Sequence, residues 1–182
     1  CIRDRVTTGQ KNIAIGGYAF DNSTEQDYNV AIGYEALTAM SGSAGGAYNT
    51  AIGYRAGYAT TTATNNTIVG AEAGDAITTG GYNTLYGHRA ATTLTTGTNN
   101  TAIGLQPLYN TTTGTFNVAI GRDAGSNANA DEGVFIGYAA GYYNYAGAKN
   151  VHIGSQAGYY TTGSYNTSVS YTHLTLPTIY SV

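Results

Sequence analysis

A five-residue phrase runs along the chain, opening on asparagine, continuing through small or β-branched residues and closing on glycine. Asn12-Ile13-Ala14-Ile15-Gly16 returns at residues 29–33, 49–53, 66–70, 83–87, 100–104, 117–121, 133–137 and 150–154. The closing glycines are spaced by 17, 20, 17, 17, 17, 17, 16 and 17 residues. Each phrase has the composition of a short strand ended by glycine. Side chains alternate along a strand, so the residue before the glycine and the one two earlier share a face. Placing that face inward predicts a core ladder of Ile15, Ile32, Ile52, Ile103, Ile120, Ile136 and Ile153. Alanine stands three residues after nearly every closing glycine (Ala19, Ala36, Ala56, Ala73, Ala90, Ala124, Ala140, Ala157), and Pro107 is the exception. These alanines are expected inside as well. A second strand or extended piece is expected to follow, carrying the Thr-Thr-Gly turns at Gly9, Gly80, Gly97, Gly114 and Gly163.

Self-similarity at a fixed period decides the architecture. Seventeen residues at about 3.3 Å each close a coil whose interior admits only modest side chains, and stacked coils pair every strand with its copies about 4.8 Å away. The predicted fold is all-β, a parallel β-solenoid (β-roll) of about nine 17-residue coils. No single coil buries enough to fold alone, so stacking supplies the core. Two residues after the glycine stand Glu35, Arg55, Glu72, Arg89, Gln106 and Asp123. Stacked coils would place the first four as a charge ladder of alternating sign, a structural surface feature whose pairs contribute about 0.2–1 kcal/mol each.

Composition narrows the classes. The 182 residues suit one domain, and only 9% are charged, against roughly 25% in average soluble chains. Scarce leucine argues against a helical bundle. A formal charge of −3 gives no basic face for nucleic acid. One cysteine cannot form an internal disulfide. No run of about eighteen apolar residues is present, so no membrane insertion is expected. The chain opens on Cys1 rather than methionine, which reads as an internal fragment. Residues 1–6 read as the remnant of a preceding coil and 7–168 as the repeat domain. The string Ser170-Tyr171-Thr172-His173-Leu174-Thr175-Leu176-Pro177-Thr178 has neither the period nor the composition of the repeat. Residues 169–182 resemble a translated adapter of a transposase-based sequencing library, and are expected to be a non-native tail that contributes nothing to the fold.

The clearest copy, Asn49-Thr50-Ala51-Ile52-Gly53-Tyr54-Arg55-Ala56-Gly57, resembles the head repeats of YadA-like trimeric autotransporter adhesins. It resembles more closely the N-T-A-I-G-Y-x-A runs of phage-type tail-fibre repeat proteins and their bacterial relatives. The resemblance covers residues 7–167. It implies a left-handed β-roll, three chains associated into an extended fibre, an extracellular place on a bacterial surface or phage virion, and attachment to a host receptor or glycan. The adhesin heads have a shorter coil and far less tyrosine.

Candidate chemistry is sparse. Asparagine at coil corners tolerates tight turns and can stack in a hydrogen-bonded ladder, a stronger reading than glycosylation at Asn22, Asn65, Asn99 or Asn110. His88 and His152 lie coils apart, which argues against a shared metal, and Asp123 with Asp131 and Glu132 are the only carboxylates worth weighing for glycan hydrolysis. No catalytic residue, metal or cofactor is expected, and the chain is read as not an enzyme. Eighteen tyrosines need a place outside so narrow a coil. Tyr34, Tyr54 and Tyr138 follow closing glycines, and Tyr58, Tyr109, Tyr142 and Tyr159 recur four residues further on. They are the candidate contacts, buried between chains of a homotrimer or stacked on sugar rings. The function expected is that of a structural, adhesive fibre segment. The alternatives are an ice-binding solenoid using threonine arrays and a carbohydrate-active solenoid enzyme.

Overall fold

The computed structural model describes residues 9–23, 25–42, 45–145 and 147–169. Its strands are β1 (Ile13–Ile15), β2 (Gln26–Asp27), β3 (Val30–Ile32), β4 (Gly45–Gly46), β5 (Thr50–Ile52), β6 (Thr67–Val69), β7 (Thr84–Tyr86), β8 (Thr101–Ile103), β9 (Val118–Ile120), β10 (Val134–Ile136), β11 (Val151–Ile153) and β12 (Thr167–Val169). No helix occurs among the described residues. All strands but β2 and β4 join one parallel sheet whose spatial order is the chain order. Equivalent positions pair: Ile103 lies beside Tyr86 on one side and Ile120 on the other. The Thr101 N–H donates to the Asn117 carbonyl at 2.8 Å and the Gly104 N–H to the Tyr86 carbonyl at 2.8 Å. The molecule is a parallel β-solenoid of about nine turns, 17 residues apart in most of them.

Among the described residues the second extended piece is a strand in two coils only, where β2 and β4 pair as a short parallel sheet of their own. After each closing glycine the chain runs through turns whose backbone groups bond the coils on either side, as Leu37 N–H to Ala56 carbonyl and Glu35 N–H to Gly17 carbonyl. The threonine segments add single links, such as Thr78 N–H to Thr95 carbonyl at 2.9 Å. Positive φ values mark the corners. In one coil Asn99, Gln106 and Leu108 sit at φ 59°, 58° and 51°, and the neighbouring coil repeats this at Tyr82, Arg89 and Ala91. Extended backbone needs negative φ, so each of these residues turns the chain, and the threonine segment runs between two such corners.

The interior corrects the expected ladder. The buried residue of each strand is its central one: Ala31, Ala51, Ile68, Leu85, Ala102, Ala119, Phe135 and His152 are fully enclosed. Ile15, Ile52, Ile103 and Ile153 point outward and are exposed, Ile103 by 36% and Ile15 by 49%. Ile32, Ile120 and Ile136 are half-buried on the same outer face. Alternation holds, but its origin is the asparagine. That amide turns inward and is itself buried, at Asn29, Asn49, Asn66, Asn83, Asn100, Asn117 and Asn150. The next inward place is two residues on. The alanines after the glycine are inside as expected, from Ala36 to Ala157, and Pro107 takes the same buried place.

Volume is traded within and between coils of this thin core. Ala102 shares its coil with Leu108 four residues after the glycine, whereas Ile68 shares its coil with Gly74. A Cβ on Gly74 would meet Ile77 Cδ1 at 2.8 Å and Leu85 Cδ1 at 2.9 Å. Where Ala51 shares its coil with Gly57, Leu37 and Ile68 of the neighbouring coils fill the space. The closing glycines are set differently. At Gly104 φ is +135°, and a Cβ would stand 2.7 Å from the Gly121 carbonyl oxygen of the next coil. Only glycine lets the coils approach there.

The asparagines form the ladder anticipated for them. Asn83 Oδ1 accepts from both the backbone N–H and the Nδ2 of Asn100, at 3.0 and 3.1 Å, and Asn100 Oδ1 does the same for Asn117. The break at Gly133 has a steric cause, because a Cβ there would fall against the Phe135 ring. Asn144 supplies the lost rung, its Oδ1 accepting from Asn150 Nδ2 at 3.0 Å. At the far end Val169 pairs with Ile153 in β12. Residues 1–6 and 170–182, with the expected remnant and nearly all of the expected tail, lie outside the described residues.

Candidate functional site

Inverting the isoleucine ladder places an apolar sheet face on the outside. Each strand of the main sheet presents two outward side chains, and across ten strands none is charged. One column runs Val30, Thr50, Thr67, Thr84, Thr101, Val118 and onward; the other runs Ile32, Ile52, Val69, Tyr86, Ile103, Ile120 and onward. Every member but Tyr86 is β-branched, which suits a pleated surface and stiffens it at χ1. At ordinary spacings the columns stand about 6.6 Å apart and extend about 43 Å, a strip of roughly 280 Å². Contiguous apolar patches of a few hundred Å² on soluble monomers are often functional. Exposed Tyr34, Tyr54 and Tyr138 follow its closing glycines in sequence.

The tyrosines do not converge on one site. Tyr34 and Tyr54 stack with ring centroids 5.9 Å apart, and Tyr18 meets Tyr34 edge-on at 5.7 Å. Tyr28 and Tyr48 stack at 4.9 Å. Tyr142 with Tyr159 and Tyr143 with Tyr160 stack at 5.2 and 5.1 Å, making a perpendicular-walled cluster with Tyr145. Tyr58 lies under the Arg55 guanidinium at 4.2 Å and Tyr138 under that of Arg122 at 4.5 Å. Tyr109 is half-buried in its own coil. Each stacked pair spends one face of each ring on its partner in the next coil, as cross-strand aromatic pairs do. That leaves less open ring face for a sugar than the sequence pattern suggests.

The expected charge ladder forms as two separate pairs, with Arg55 turning to Asp75 rather than Glu72 on its far side. Arg55 Nε lies 3.8 Å from Glu35 and 3.2 Å from Asp75, and Arg89 Nε lies 2.5 Å from Glu72. The hydrogen bond from Arg89 holds the Glu72 carboxyl below its ordinary range, while burial pushes that of Asp75 up. The next two rungs differ: Gln106 is uncharged, and Asp123 pairs with its neighbour Arg122 at 3.2 Å.

The other candidates are occupied structurally. Asp131 Oδ1 accepts from the Thr115 N–H and hydroxyl, and Glu132 lies 3.9 Å from Lys149. Among the described residues no three His, Cys, Asp or Glu side chains are placed to hold a metal ion, and no helix is long and apolar enough to cross a membrane. His88 is exposed, and His152 is enclosed in the core; His173 lies outside the described residues. In the Thr-Thr pairs the first hydroxyl is consumed by the fold: Thr61, Thr78 and Thr95 each donate to the next coil's threonine carbonyl. On that segment a single outward column of Thr62, Thr79, Thr96 and Thr113 remains.

The outward face was hidden from the sequence because Ile and Val are read as core. The usable signal was the asparagine opening eight of the nine phrases, whose amide needs an enclosed partner. The chain matches no family model, no curated protein and no solved structure.

Proposed function

We propose that the chain is a non-catalytic structural and adhesive fibre segment, working outside the cell, whose copies associate side by side through the apolar sheet face. The carrying observation is that face: ten strands long and free of charge, while the ion pairs lie on the turns that flank the strands. A strip of roughly 280 Å² is smaller than the ~800 Å² per partner of standard interfaces. Association therefore draws in bordering side chains such as Tyr34, Tyr54 and Tyr138. The repeat's resemblance to adhesin heads and tail fibres makes a homotrimer the expected state, with the outer turns left for a host receptor or glycan.

Disulfide trapping tests this reading. Ile103→Cys in a Cys1→Ser chain is expected to give interchain disulfides on mild oxidation, while Thr96→Cys, exposed on the threonine segment, is expected to give none. Equal trapping at both sites, or none at either, would overturn lateral association through the sheet.

A further inference from the structure

The interior of the solenoid is apolar at the centre of nearly every strand, holding Ala, Ile, Leu or Phe from β3 to β10. In β11 the same place holds His152, fully enclosed. Neither ring nitrogen has a hydrogen-bond partner. The ring lies between the Phe135 ring, 5.8 Å away by centroids, and the turn at Gly158. A Cβ on Gly158 would collide with the imidazole, so the coil has given up a side chain to admit it. Neutral imidazole fills this space as Leu85 fills it in β7. An imidazolium cannot, because it needs two acceptors and a solvated or paired charge.

We propose that the coil carrying β11 is an acid-sensitive joint of the solenoid, opened when His152 takes up a proton. This stands independently of the fibre reading. The groups facing the ring from each packed element are Phe135 of β10, Ser168 of β12, and Gly141 and Gly158 of the flanking turns. The nearest polar side chains of this coil, Asn144 and Asn150, bond each other and the Gly147 carbonyl. None of these titrates or bears a charge, so nothing local can hold an imidazolium in place. Burial alone lowers the proton affinity of the ring, with no charged neighbour contributing. The sign follows. A base held neutral in the closed coil binds fewer protons than in the opened one. The closed state is therefore fully favoured above the free-histidine value of about 6.5 and loses ground as pH falls below it. Local opening is the economical response, because solenoid coils contact only their neighbours.

Hydrogen exchange of the full chain, corrected for intrinsic rates, reads this directly. Between pH 7.5 and 5.0 the amides of residues 147–169 are expected to lose protection by up to about thirtyfold, the ceiling for a histidine that protonates only when open. Amides of residues 66–104 are expected to hold. His152→Leu should remove the pH dependence, and His88→Gln should keep it. Equal protection at both pH values, or the same loss in His152→Leu as in the parent chain, would overturn the proposal. Should His152→Leu not fold, the ring resonances of the parent chain decide. The joint requires the His152 ring of the folded chain to stay neutral at pH 5, and an imidazolium at His152 in a coil that stays closed would overturn it.

Discussion

Replacing Asn100 by alanine removes one rung of the buried amide ladder and leaves its neighbours stranded. The Asn100 side chain takes part in four hydrogen bonds: Nδ2 donates to Asn83 Oδ1 at 3.1 Å and to the Gly114 carbonyl at 2.8 Å, and Oδ1 accepts from the N–H and Nδ2 of Asn117 at 3.0 and 3.1 Å. The residue is only 1% exposed, so water cannot substitute. An orphaned buried polar group costs about 1–3 kcal/mol. The Asn117 N–H and the Gly114 carbonyl would both be orphaned, and the expected loss is about 3–5 kcal/mol after crediting the amide no longer buried. Asn100→Asp is the sharper variant. It keeps the shape but sets oxygen against the Gly114 carbonyl, and burial would raise its carboxyl. Its deficit should therefore shrink as pH falls toward 5, where the protonated acid can donate one hydrogen bond. Urea unfolding followed by circular dichroism measures both. Asn100→Ala within about 0.5 kcal/mol of the parent chain would refute the ladder as a stabilising element.

Ala102→Asp should unfold its coil, since it buries a lone charge, whereas Ile103→Asp on the outer face should leave most of the monomer's melting temperature intact; equal loss in both would reject the inside-out assignment. Gly104→Ala combines a left-handed φ with a Cβ at 2.7 Å from the Gly121 oxygen, and a loss of about 3 kcal/mol or more is expected on thermal unfolding. Phe116→Asn at φ 58° should stabilise slightly, by about 0.5 kcal/mol, because asparagine tolerates that corner better. Arg89→Gln should raise the Glu72 carboxyl toward its ordinary value in an NMR titration. The Glu72 contribution is present above the unfolded carboxylate range and lost as pH falls through its lowered value. The pair is screened by solvent, so the accompanying change in stability should be small.

Coil length, the parallel stack and the charge pairs from Glu35 to Arg89 were legible in the sequence because each follows from the period alone. The buried alanines from Ala36 to Ala157 were legible for a related reason: a small residue at a fixed distance from a glycine has few other uses. The face of each strand was not legible from hydrophobicity. Ile103 outranks Ala102 on any apolar scale, yet the coil is too thin for isoleucine in every strand beside Leu108 and Leu94, and asparagine competes for the same interior. The second extended piece reaches strand pairing only at β2 and β4, and its corners were not legible because residues such as Gln106 and Leu108 carry no local mark of a positive φ. The tyrosines were correctly placed outside, but their pairing across coils depends on which coils carry them, and that is a property of the stack.

Sedimentation equilibrium of the chain, its cysteine blocked, tests the central claim most directly when run beside Ile103→Lys. Lysine there leaves the folded coil intact and puts a charge in the middle of the apolar sheet face. The account predicts that the parent chain sediments as a trimer or larger side-by-side assembly at micromolar concentration, and the variant as a folded monomer. A parent chain that is monomeric under those conditions, or a variant that assembles as well as the parent, would contradict it.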